Sequence, residues 1–274
     1  MTIEELLVFG KVHCHSDHVK IILAEILEKN PLELYNYLEE VIEEDKVEQY
    51  KKAILAMQEG KPLQYVLGKV NFCGYPFYVD ERVLIPRFET EELVDQTVKY
   101  IKEYFKEPID LIDLGCGTGA IGLTIEKKVS TKSVDLIDIS EETLEVTKIN
   151  KEKLESNANL IQNDMLENMD KKYDVIISNP PYIKEEEEIE DIVKNNEPHL
   201  ALYAGKDGLD CYRKILGNCK KNMKDRCLIA FEIGSDQAKD IEHIVKETLE
   251  NVRIEVKKDL SERDRMFFIF KNLE

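Results

Sequence analysis

The chain has 274 residues, of which 43% are hydrophobic and 34% are charged, and its formal net charge is −18. This balance is typical of a folded globular protein, and the length allows a small domain beside a catalytic domain of about 150 to 200 residues. The apolar runs are far shorter than the ~20 residues that span a bilayer, so we expect no membrane segment. The negative net charge disfavours binding to phosphate groups, so we expect no direct nucleic-acid binding.

The N-terminal residues show no sign of export. Met1–Glu5 lacks the basic start and the apolar stretch of a secretory signal, so we expect a cytoplasmic protein. Metal-binding residue types cluster in His13–His18, but adjacent side chains point in divergent directions and no distant partner pair accompanies them. A polar turn is the preferred interpretation, and no metal site is expected.

Residues 1–60 have the pattern of short helices. Leu34, Leu38 and Val41 recur at helical spacing and predict one face of a helix. Thr2 and Glu5 fit the spacing of a capping box at a helix N-terminus. We therefore predict a small N-terminal helical domain.

Residues 61–88 differ in character, because glycines and prolines interrupt short apolar and aromatic stretches. The stretches Tyr65–Leu67 and Phe77–Val79 predict the strands of a β-hairpin that connects two domains. Thr90 then has the residue type of a helix N-cap, and acidic residues follow it in the first turn. A helix is predicted from there towards Tyr104.

Residues 89–274 alternate apolar runs with amphipathic helices. The seven strand-like runs are Leu111–Leu114, Val134–Ile137, Leu160–Ile161, Val175–Ser178, Cys227–Glu232, Val252–Val256 and Met266–Phe270. Such alternation indicates an α/β domain, with a mainly parallel sheet covered by helices on both faces. The last two runs are separated by a polar loop and are interpreted as an antiparallel pair at one edge.

A glycine-rich turn follows the first of these strands and precedes a helix. Missing side chains let a ligand approach the backbone, and the helix N-terminus offers unpaired N–H groups to a carboxylate or phosphate. We therefore predict that this glycine loop binds a nucleotide-like cofactor through Gly115, Cys116, Gly117, Thr118 and Gly119. The loop also satisfies the dinucleotide fingerprint, which leaves a nicotinamide-dependent dehydrogenase as one alternative.

Acidic residues end the next two strands and complete the predicted cofactor site. Asp138 stands where a carboxylate can accept hydrogen bonds from both ribose hydroxyls, although it could instead cap the helix that begins near Ser140. Asp164 could hold the adenine amine, and Met165 could cover the ring. A plain turn at Asp164 and Met165 remains the alternative.

A second motif, the tetrad Asn179-Pro180-Pro181-Tyr182, follows the strand that ends at Ser178. Successive prolines fix φ and remove two N–H groups, so the Asn179 side chain and the Pro180 carbonyl are held as acceptors that can grip one NH2 group. Orienting both hydrogens of an amide or aromatic amine directs its lone pair at a methyl donor, and Tyr182 would stack on the planar group. This motif favours S-adenosylmethionine over a dinucleotide.

Together these residues resemble the bacterial and organellar release-factor glutamine methyltransferases. The resemblance covers residues 62–274 in separate blocks. Besides the two motifs, the blocks include Pro62-Leu63-Gln64-Tyr65 with Gly68, Ile85-Pro86-Arg87 with Thr90 and Glu91, Glu197-Pro198, Asp207-Gly208-Leu209, Glu232 with Gly234 and Gln237, and Asp259 with Arg263–Arg265. The tetrad alone is shared with DNA adenine and RNA guanine methyltransferases, which remain the alternative, whereas the flanking blocks are more specific.

The resemblance implies a fold, a reaction and a set of site residues. The fold would be a Rossmann-like class I methyltransferase domain over residues 89–274, with a seven-stranded sheet, a hairpin connector over 61–88 and a helical substrate-recognition domain over 1–60. The reaction would be methylation of the glutamine amide nitrogen in the Gly-Gly-Gln motif of class-I peptide chain release factors. S-adenosylmethionine, leaving as S-adenosylhomocysteine, would be bound by the glycine loop, Asp138, Asp164, Met165 and Asn179, and the tetrad would receive the glutamine.

Overall fold

The computed structural model describes residues 1–274. The helices are Ile3–His13 (α1), Ser16–Ile26 (α2), Glu44–Gln58 (α3), Leu63–Leu67 (α4), Phe88–Tyr104 (α5), Ala120–Lys128 (α6), Glu141–Lys153 (α7), Asp191–Asn196 (α8), Asp210–Cys219 (α9) and Ala238–Thr248 (α10). The strands are Lys69–Phe72 (β1), Tyr75–Tyr78 (β2), Ile109–Leu114 (β3), Thr131–Asp138 (β4), Asn159–Gln162 (β5), Tyr173–Ser178 (β6), Met223–Glu232 (β7), Val252–Lys258 (β8) and Asp264–Lys271 (β9). None of the helices is both long and apolar enough to cross a membrane.

The chain divides into two compact units. The first comprises Met1–Lys69 and Glu190–Asn196, and the second comprises Val70–Ile189 and Glu197–Glu274. Each unit has a hydrophobic core of its own, because the buried side chains of residues 3–54 form one cluster and those of the second unit form two others.

Helices account for nearly all regular structure in the first unit. The predicted capping box is confirmed, since Glu5 N donates to Thr2 Oγ1 at 3.2 Å and Thr2 N donates to Glu5 Oε2 at 3.0 Å. Gly10 lets α1 approach its neighbours closely, because a Cβ there would collide with the Tyr50 hydroxyl and lie 2.7 Å from Val19 Cγ1. His15 caps the N-terminus of α2, so the histidine-rich stretch forms the junction between two helices.

The helix predicted from the spacing of Leu34, Leu38 and Val41 is wrong. Only a short 3-10 helix forms there, over Leu34–Asn36, and Val41 is 75% exposed. The backbone is engaged elsewhere, because Ile42 N donates to the Met1 carbonyl and an isolated β-bridge joins Val41 to residue 2. Pairing with the N-terminus therefore overrides the local helical periodicity.

A β-hairpin follows the first helices, as predicted, but it begins later than expected. The predicted strand Tyr65–Leu67 is wrong, because these residues lie in α4, which ends at Gly68 in a left-handed conformation with φ of 65°. Strands β1 and β2 form the hairpin, and Cys73 and Gly74 turn between them with φ of 51° and 85°. Two such left-handed residues make a turn whose twist matches that of the flanking strands.

The second unit contains a seven-stranded sheet with the order β5-β4-β3-β6-β7-β9-β8. The first five of these strands are parallel, and β9 is antiparallel to both β7 and β8. The predicted α/β architecture and the antiparallel pair at one edge are confirmed. One cluster of buried side chains packs α5 and α6 on one face of the sheet, and the other packs α9 and α10 on the opposite face.

The order of the strands determines where a ligand can bind. From β3 the chain moves outward through β4 to β5, and it then crosses to β6 and β7 on the other side of β3. The loops that leave the carboxyl ends of β3 and β6 therefore run in opposite directions and open a crevice between them. In open α/β sheets, ligands bind in such crevices.

Candidate active site

Strand register brings the two motifs to the same edge of the sheet. Leu114 at the end of β3 pairs with Ile137 in β4, so the residues that follow them, Gly115 and Asp138, stand side by side. Ser178 at the end of β6 pairs with Phe231 in β7. Ser178 Oγ also donates to the Leu114 carbonyl at 2.6 Å, which joins the starts of the two loops.

A cavity of about 560 Å³ opens between these loops, within the usual range for a small-molecule site. Nine of the predicted site residues line it, namely Gly115, Cys116, Gly117, Thr118, Asp138, Asp164, Met165, Asn179 and Pro181. Gly119, Pro180 and Tyr182 do not line it. The cavity therefore combines the predicted cofactor residues with the beginning of the proline tetrad.

The three glycines of the glycine loop have different physical roles. All have positive φ, at 68°, 55° and 78° for Gly115, Gly117 and Gly119. A Cβ on Gly119 would lie 2.9 Å from side-chain atoms of Leu123 and Thr147, so this position is dictated by packing at the start of α6. A Cβ on Gly117 would meet nothing within 4 Å, and one on Gly115 only the end of Met165 at 3.9 Å, so these two glycines leave open space for a ligand.

Two residues of α7 hold the glycine loop in place, and sequence analysis missed both. Thr147 Oγ1 donates to the Gly117 carbonyl at 2.7 Å, and Asn150 Nδ2 donates to the Thr118 carbonyl at 3.0 Å. Asn150 also exchanges hydrogen bonds with the backbone of Tyr78 in the hairpin. A sequence signal existed, because these residues are four and seven positions after Thr143 on one helix face, but a polar helix face is usually exposed.

Asp113, near the end of β3, is hydrogen-bonded to the first turn of the helix that follows the glycine loop. Its Oδ2 accepts a hydrogen bond from Gly122 N in α6 at 2.9 Å, while its Oδ1 has no partner although the residue is fully buried. Burial raises the pKa of Asp113 to about 7. This carboxyl group therefore gains its proton within the neutral range.

Asp138 contacts the glycine loop directly. Its Oδ2 accepts from Gly117 N at 3.1 Å, and its Oδ1 accepts from Ser140 N at 3.0 Å. The alternative that Asp138 caps α7 is wrong, because Ser140 is the N-cap and its Oγ accepts from Thr143 N at 3.1 Å. Burial raises the pKa of Asp138, while its backbone hydrogen bonds act in the opposite direction.

The turn after β5 places Asp164 and Met165 in the lining of the cavity. Asp164 forms an ion pair with Lys214 of α9, which sequence analysis did not foresee. Met165 has a positive φ of 53°, and its side chain extends towards Gly115. Asn163 stabilises this turn by donating from Nδ2 to the Met165 carbonyl at 3.1 Å.

The Asn179 side chain is held by a residue that sequence analysis assigned to another role. Helix α5 begins at Phe88 with Arg87 as its N-cap, so the prediction that Thr90 caps this helix is wrong. Thr90 is instead buried in the first turn, where its Oγ1 accepts from Asn179 Nδ2 at 3.2 Å. The carbonyl oxygen Oδ1 of Asn179 receives no hydrogen bond from the protein.

Tyr182 is anchored at its hydroxyl and at its backbone. Its hydroxyl donates to Glu232 Oε1 at 3.3 Å and accepts from Arg265 Nη1 at 3.4 Å. Gln237 Nε2 donates to the Tyr182 carbonyl at 3.0 Å. Burial raises the pKa of Tyr182, so the phenol stays protonated at neutral pH.

An ion pair between Arg87 and Glu197 lies beside the cavity. Arg87 Nη2 donates to Glu197 Oε1 at 2.6 Å, and Ile85 N donates to Glu197 Oε2 at 3.3 Å. The Glu197 side chain is buried, whereas that of Arg87 is partly exposed and lines the cavity. Sequence reasoning singled out these residues only through the family resemblance.

The cavity residues fit an adenosyl ligand with a sulfonium centre. Gly115 and Gly117 leave space against the backbone, Asp138 offers carboxylate lone pairs, and Met165 provides an apolar surface. The parallel sheet, the glycine loop at its switch point and the facing tetrad define a class of protein: the Rossmann-like class I methyltransferases, whose methyl donor is S-adenosylmethionine.

Comparison with known proteins agrees with this class and narrows it. Residues 89–201 match the family described as Methyltransferase small domain, and residues 16–68 match the family described as PrmC N-terminal domain. In fold, the chain is similar to the T. thermophilus 16S rRNA N2 G1207 methyltransferase in complex with AdoMet and guanosine. That likeness has a TM-score of 0.54 and 12% identity, and covers 74% of this chain and 50% of the other.

Closer relatives establish the family. The release factor glutamine methyltransferase of Bacillus subtilis (strain 168) is 39% identical over 235 residues, which are 83% of this chain and 82% of the relative. That of Clostridium acetobutylicum is 39% identical over 258 residues, which are 90% of this chain and 88% of the relative. The chain belongs to the release factor glutamine methyltransferase family. The dehydrogenase alternative is therefore wrong.

Proposed function

We propose that this enzyme transfers a methyl group from S-adenosylmethionine to the side-chain amide nitrogen of a glutamine. The substrate is the glutamine of the Gly-Gly-Gln motif in class-I peptide chain release factors. Family membership supports this substrate. The observation that carries the chemistry is the orientation of Asn179, which lines the cavity of the glycine loop while its Nδ2 is bonded to Thr90.

The cofactor residues act by holding the methyl donor, which supplies an electrophilic methyl group when bound. The glycine loop binds through its backbone, and Asp138 accepts hydrogen bonds from the ribose hydroxyls. Asp164 and Met165 border the adenine, with the Asp164 carboxylate shared with Lys214. Methyl transfer would break the bond between the methyl carbon and sulfur as the N–C bond forms, leaving S-adenosylhomocysteine and one proton that the methylated nitrogen releases to water.

The tetrad residues act by positioning the acceptor nitrogen. Asn179 Oδ1 and the Pro180 carbonyl accept the two N–H bonds of the substrate amide, which turns the nitrogen lone pair towards the methyl group. Pro181, which lines the cavity, borders the planar amide, and Tyr182, which lies just outside the cavity lining, is the aromatic group assigned to stack on it. An amide nitrogen is a weak nucleophile, so the rate depends on this geometry and on the electrostatic match between acceptors and N–H groups.

The parts of the chain have separate tasks in this proposal. Residues 1–60 form a substrate-recognition domain, residues 61–88 a connector and residues 89–274 the catalytic domain. The enzyme acts in the cytoplasm, where release factors work, and requires neither a membrane nor direct contact with nucleic acid. The net charge of −18 supports the last point, because phosphate binding normally uses clustered cations.

Mass spectrometry of a purified release factor tests the proposal. After incubation with the enzyme and S-adenosylmethionine, we expect the mass of one added methyl group on the glutamine of the Gly-Gly-Gln motif. A release factor with that glutamine replaced by alanine is the matched control and should gain nothing. Methyl transfer to DNA adenine or RNA guanine, with none to the release factor, would overturn the proposal in favour of a nucleic-acid methyltransferase.

A further inference from the structure

A buried carboxylate stands beside the tetrad and does not line the cavity. Glu232 is the last residue of β7 and is 1% exposed. Because Phe231 pairs with Ser178 across the two parallel strands, Glu232 lies level with Asn179 at the same edge of the sheet. The Glu232 side chain accepts two hydrogen bonds, from Thr90 Oγ1 to Oε2 at 2.6 Å and from the Tyr182 hydroxyl to Oε1 at 3.3 Å.

The two hydrogen bonds that link Glu232 through Thr90 to Asn179 can be arranged in only one direction when Glu232 is ionised. An ionised carboxylate only accepts, so the single hydroxyl proton of Thr90 must be donated to Glu232. Thr90 Oγ1 is then left with lone pairs and can only accept from its other neighbour. The group of Asn179 that faces it at 3.2 Å must therefore be the NH2 group, and the carbonyl Oδ1 is turned the other way.

The surroundings of Glu232 act on its charge in both directions, and the hydrogen-bond direction from Thr90 to Glu232 is that of the ionised carboxylate. Arg265 lies nearby, donating to the Tyr182 hydroxyl, and is itself paired with Asp259 at 3.4 Å. Burial raises the pKa of Glu232, while the hydrogen bond from Thr90 and the charge of Arg265 oppose that rise. The Tyr212 hydroxyl donates to the backbone carbonyl of Glu232 at 2.8 Å and fixes the end of the strand.

We infer that Glu232 is a positioning residue that, acting through Thr90, fixes the amide of Asn179 so that an acceptor and not a donor faces the substrate nitrogen. The inference rests on the proposed function, since the polarity of Asn179 matters only if this side chain receives an NH2 group. With the amide reversed, the NH2 of Asn179 would meet the NH2 of the substrate. Two N–H donors facing each other leave both unpaired, which disfavours binding and removes one of the two acceptors that direct the lone pair.

The fixed direction of the Asn179 amide would also help the site to distinguish glutamine from glutamate. A site with two fixed acceptors is satisfied by an amide NH2 and is left unpaired by the carboxylate of a glutamate, which carries no hydrogen. A site built to hydrogen-bond one group rejects an analogue that lacks it, because buried polar groups then lose their partners. Glu232 and Thr90 would thus contribute to the preference for glutamine over glutamate without touching either.

Substitution of Thr90 tests the inference most directly. Thr90→Val has nearly the same shape but cannot link Glu232 to Asn179, so we expect kcat for release-factor methylation to fall about 10- to 100-fold. Thr90→Ser retains the hydroxyl and should keep kcat within about threefold of the unchanged enzyme. Calorimetry should give a dissociation constant for S-adenosylhomocysteine within about threefold for both variants, since Thr90 acts on the acceptor side.

Two further variants show whether a lower kcat results from a change in hydrogen-bond direction or from general disruption of the fold around the site. Thr97→Val removes a buried hydroxyl from the same helix, where Thr97 Oγ1 donates only to the Leu93 carbonyl at 2.7 Å, and should leave kcat unchanged. Glu232→Gln replaces the carboxylate with a group that can also donate, which allows the Thr90 hydroxyl to turn towards Asn179. We expect it to lower kcat about tenfold or more while the melting temperature stays close to that of the unchanged enzyme.

The outcomes distinguish this inference from the proposed function. If the unchanged enzyme methylates no glutamine in a release factor, the proposed function fails. If it is active and a folded Thr90→Val or Glu232→Gln variant keeps its kcat, the inference is overturned. Loss of cofactor affinity in parallel with kcat, or no rescue by Thr90→Ser, would also overturn it by showing general distortion of the site.

Discussion

Both edges of the parallel sheet carry buried or partly buried carboxylates, but the groups that pair with these carboxylates differ between the two edges. At the amino edge, Lys224 Nζ bridges Asp110 Oδ2 and Asp174 Oδ2, each at 2.6 Å. At the carboxyl edge, Asp138 and Glu232 accept hydrogen bonds from backbone N–H groups and hydroxyls, with no direct cationic partner. One edge is neutralised by ion pairs, while the other retains carboxylates as acceptors.

The pKa of a carboxyl group also shifts in opposite directions at the two edges. At the amino edge the hydrogen bonds from Lys224 and Ser133 outweigh burial and lower the pKa of Asp110. At the carboxyl edge burial dominates and raises the pKa of Asp113, Asp138 and Glu232. Perturbed carboxylates beside a cavity are typical of functional sites, whereas fully paired ones are typical of structural sites. The carboxyl edge therefore keeps acceptors free of cationic partners at a cost in stability.

The largest expected effect comes from removing the acceptor itself. We expect Asn179→Ala to reduce kcat by about 1,000-fold or more, because the amide then loses one of the two acceptors that direct its lone pair. Affinity for S-adenosylmethionine should remain within about tenfold, since lost positioning of the transition state appears in the rate. Single-turnover kinetics with a release factor, beside calorimetry of the donor, measures both. Near-normal turnover would refute the role assigned to this side chain.

The second prediction concerns the pH dependence of folding. Asp113 has a pKa of about 7 in the folded chain against 3.8 in the unfolded chain, so between these values the folded state holds a proton that the unfolded state has released. The free energy of unfolding should therefore fall as pH rises from about 4 to above 7, by about 4 kcal/mol at most from 1.36 kcal/mol per pKa unit.

The comparison of wild type with Asp113→Asn isolates this contribution. Because asparagine does not titrate, the variant should lose the part of the decrease in melting temperature that Asp113 causes, while Asp138 and Glu232, whose pKa values are also raised by burial, retain theirs. Thermal denaturation at a series of pH values measures the difference. An unchanged pH dependence in the variant would mean that other groups govern the decrease.

The third prediction separates cofactor binding from catalysis at the carboxyl edge. Asp138→Ala removes the acceptor of Gly117 N and the proposed ribose contact, so we expect affinity for S-adenosylmethionine to fall about 100-fold. At saturating donor, kcat should change by less than about tenfold, the reverse of the Asn179→Ala pattern. Calorimetric titration and initial rates give the two numbers. A variant that binds normally would remove Asp138 from the cofactor site.

The smallest expected effect is at the amino edge and should leave activity untouched. Lys224→Met leaves Asp110 and Asp174 without their shared cation, and we expect a loss of about 2 kcal/mol in the free energy of unfolding, moderated by the partial exposure of Lys224. Chemical denaturation measures it. Lys172→Met, at an exposed lysine, is the matched control and should cost nothing measurable. A large fall in kcat for Lys224→Met would break the division between the two edges.

The elements of the fold that were predicted correctly are those whose signal is strong and local. Seven apolar runs gave seven strands, and the signal was strongest in central strands such as β3 and β6, which are buried on both faces and are therefore mostly apolar. The failures were short and ambiguous segments. Tyr65–Leu67 formed a helix, and Leu34–Asn36 gave only one turn, because pairing and packing with distant residues outweigh weak local preferences.

The candidate site divides in the same way. The glycine loop and the tetrad were found directly, since glycine and proline restrict the backbone wherever they occur. The residues that support them were missed or misassigned, as with Thr147, Asn150 and Thr90. Each of them is an ordinary polar residue on a helix, and because a polar helix face is usually exposed, its local sequence did not indicate a buried, supporting role.

By itself, the sequence determined that two rigid loops follow two strands of one parallel sheet, because that follows from residue types and their order. Only the tertiary structure decided that Thr90 and Glu232, 142 positions apart, meet behind Asn179 and set the direction of its hydrogen bonds. Hydrogen-bond polarity and pKa depend on burial and on the partners that distant strands and helices supply. Those partners exist only once the sheet has assembled.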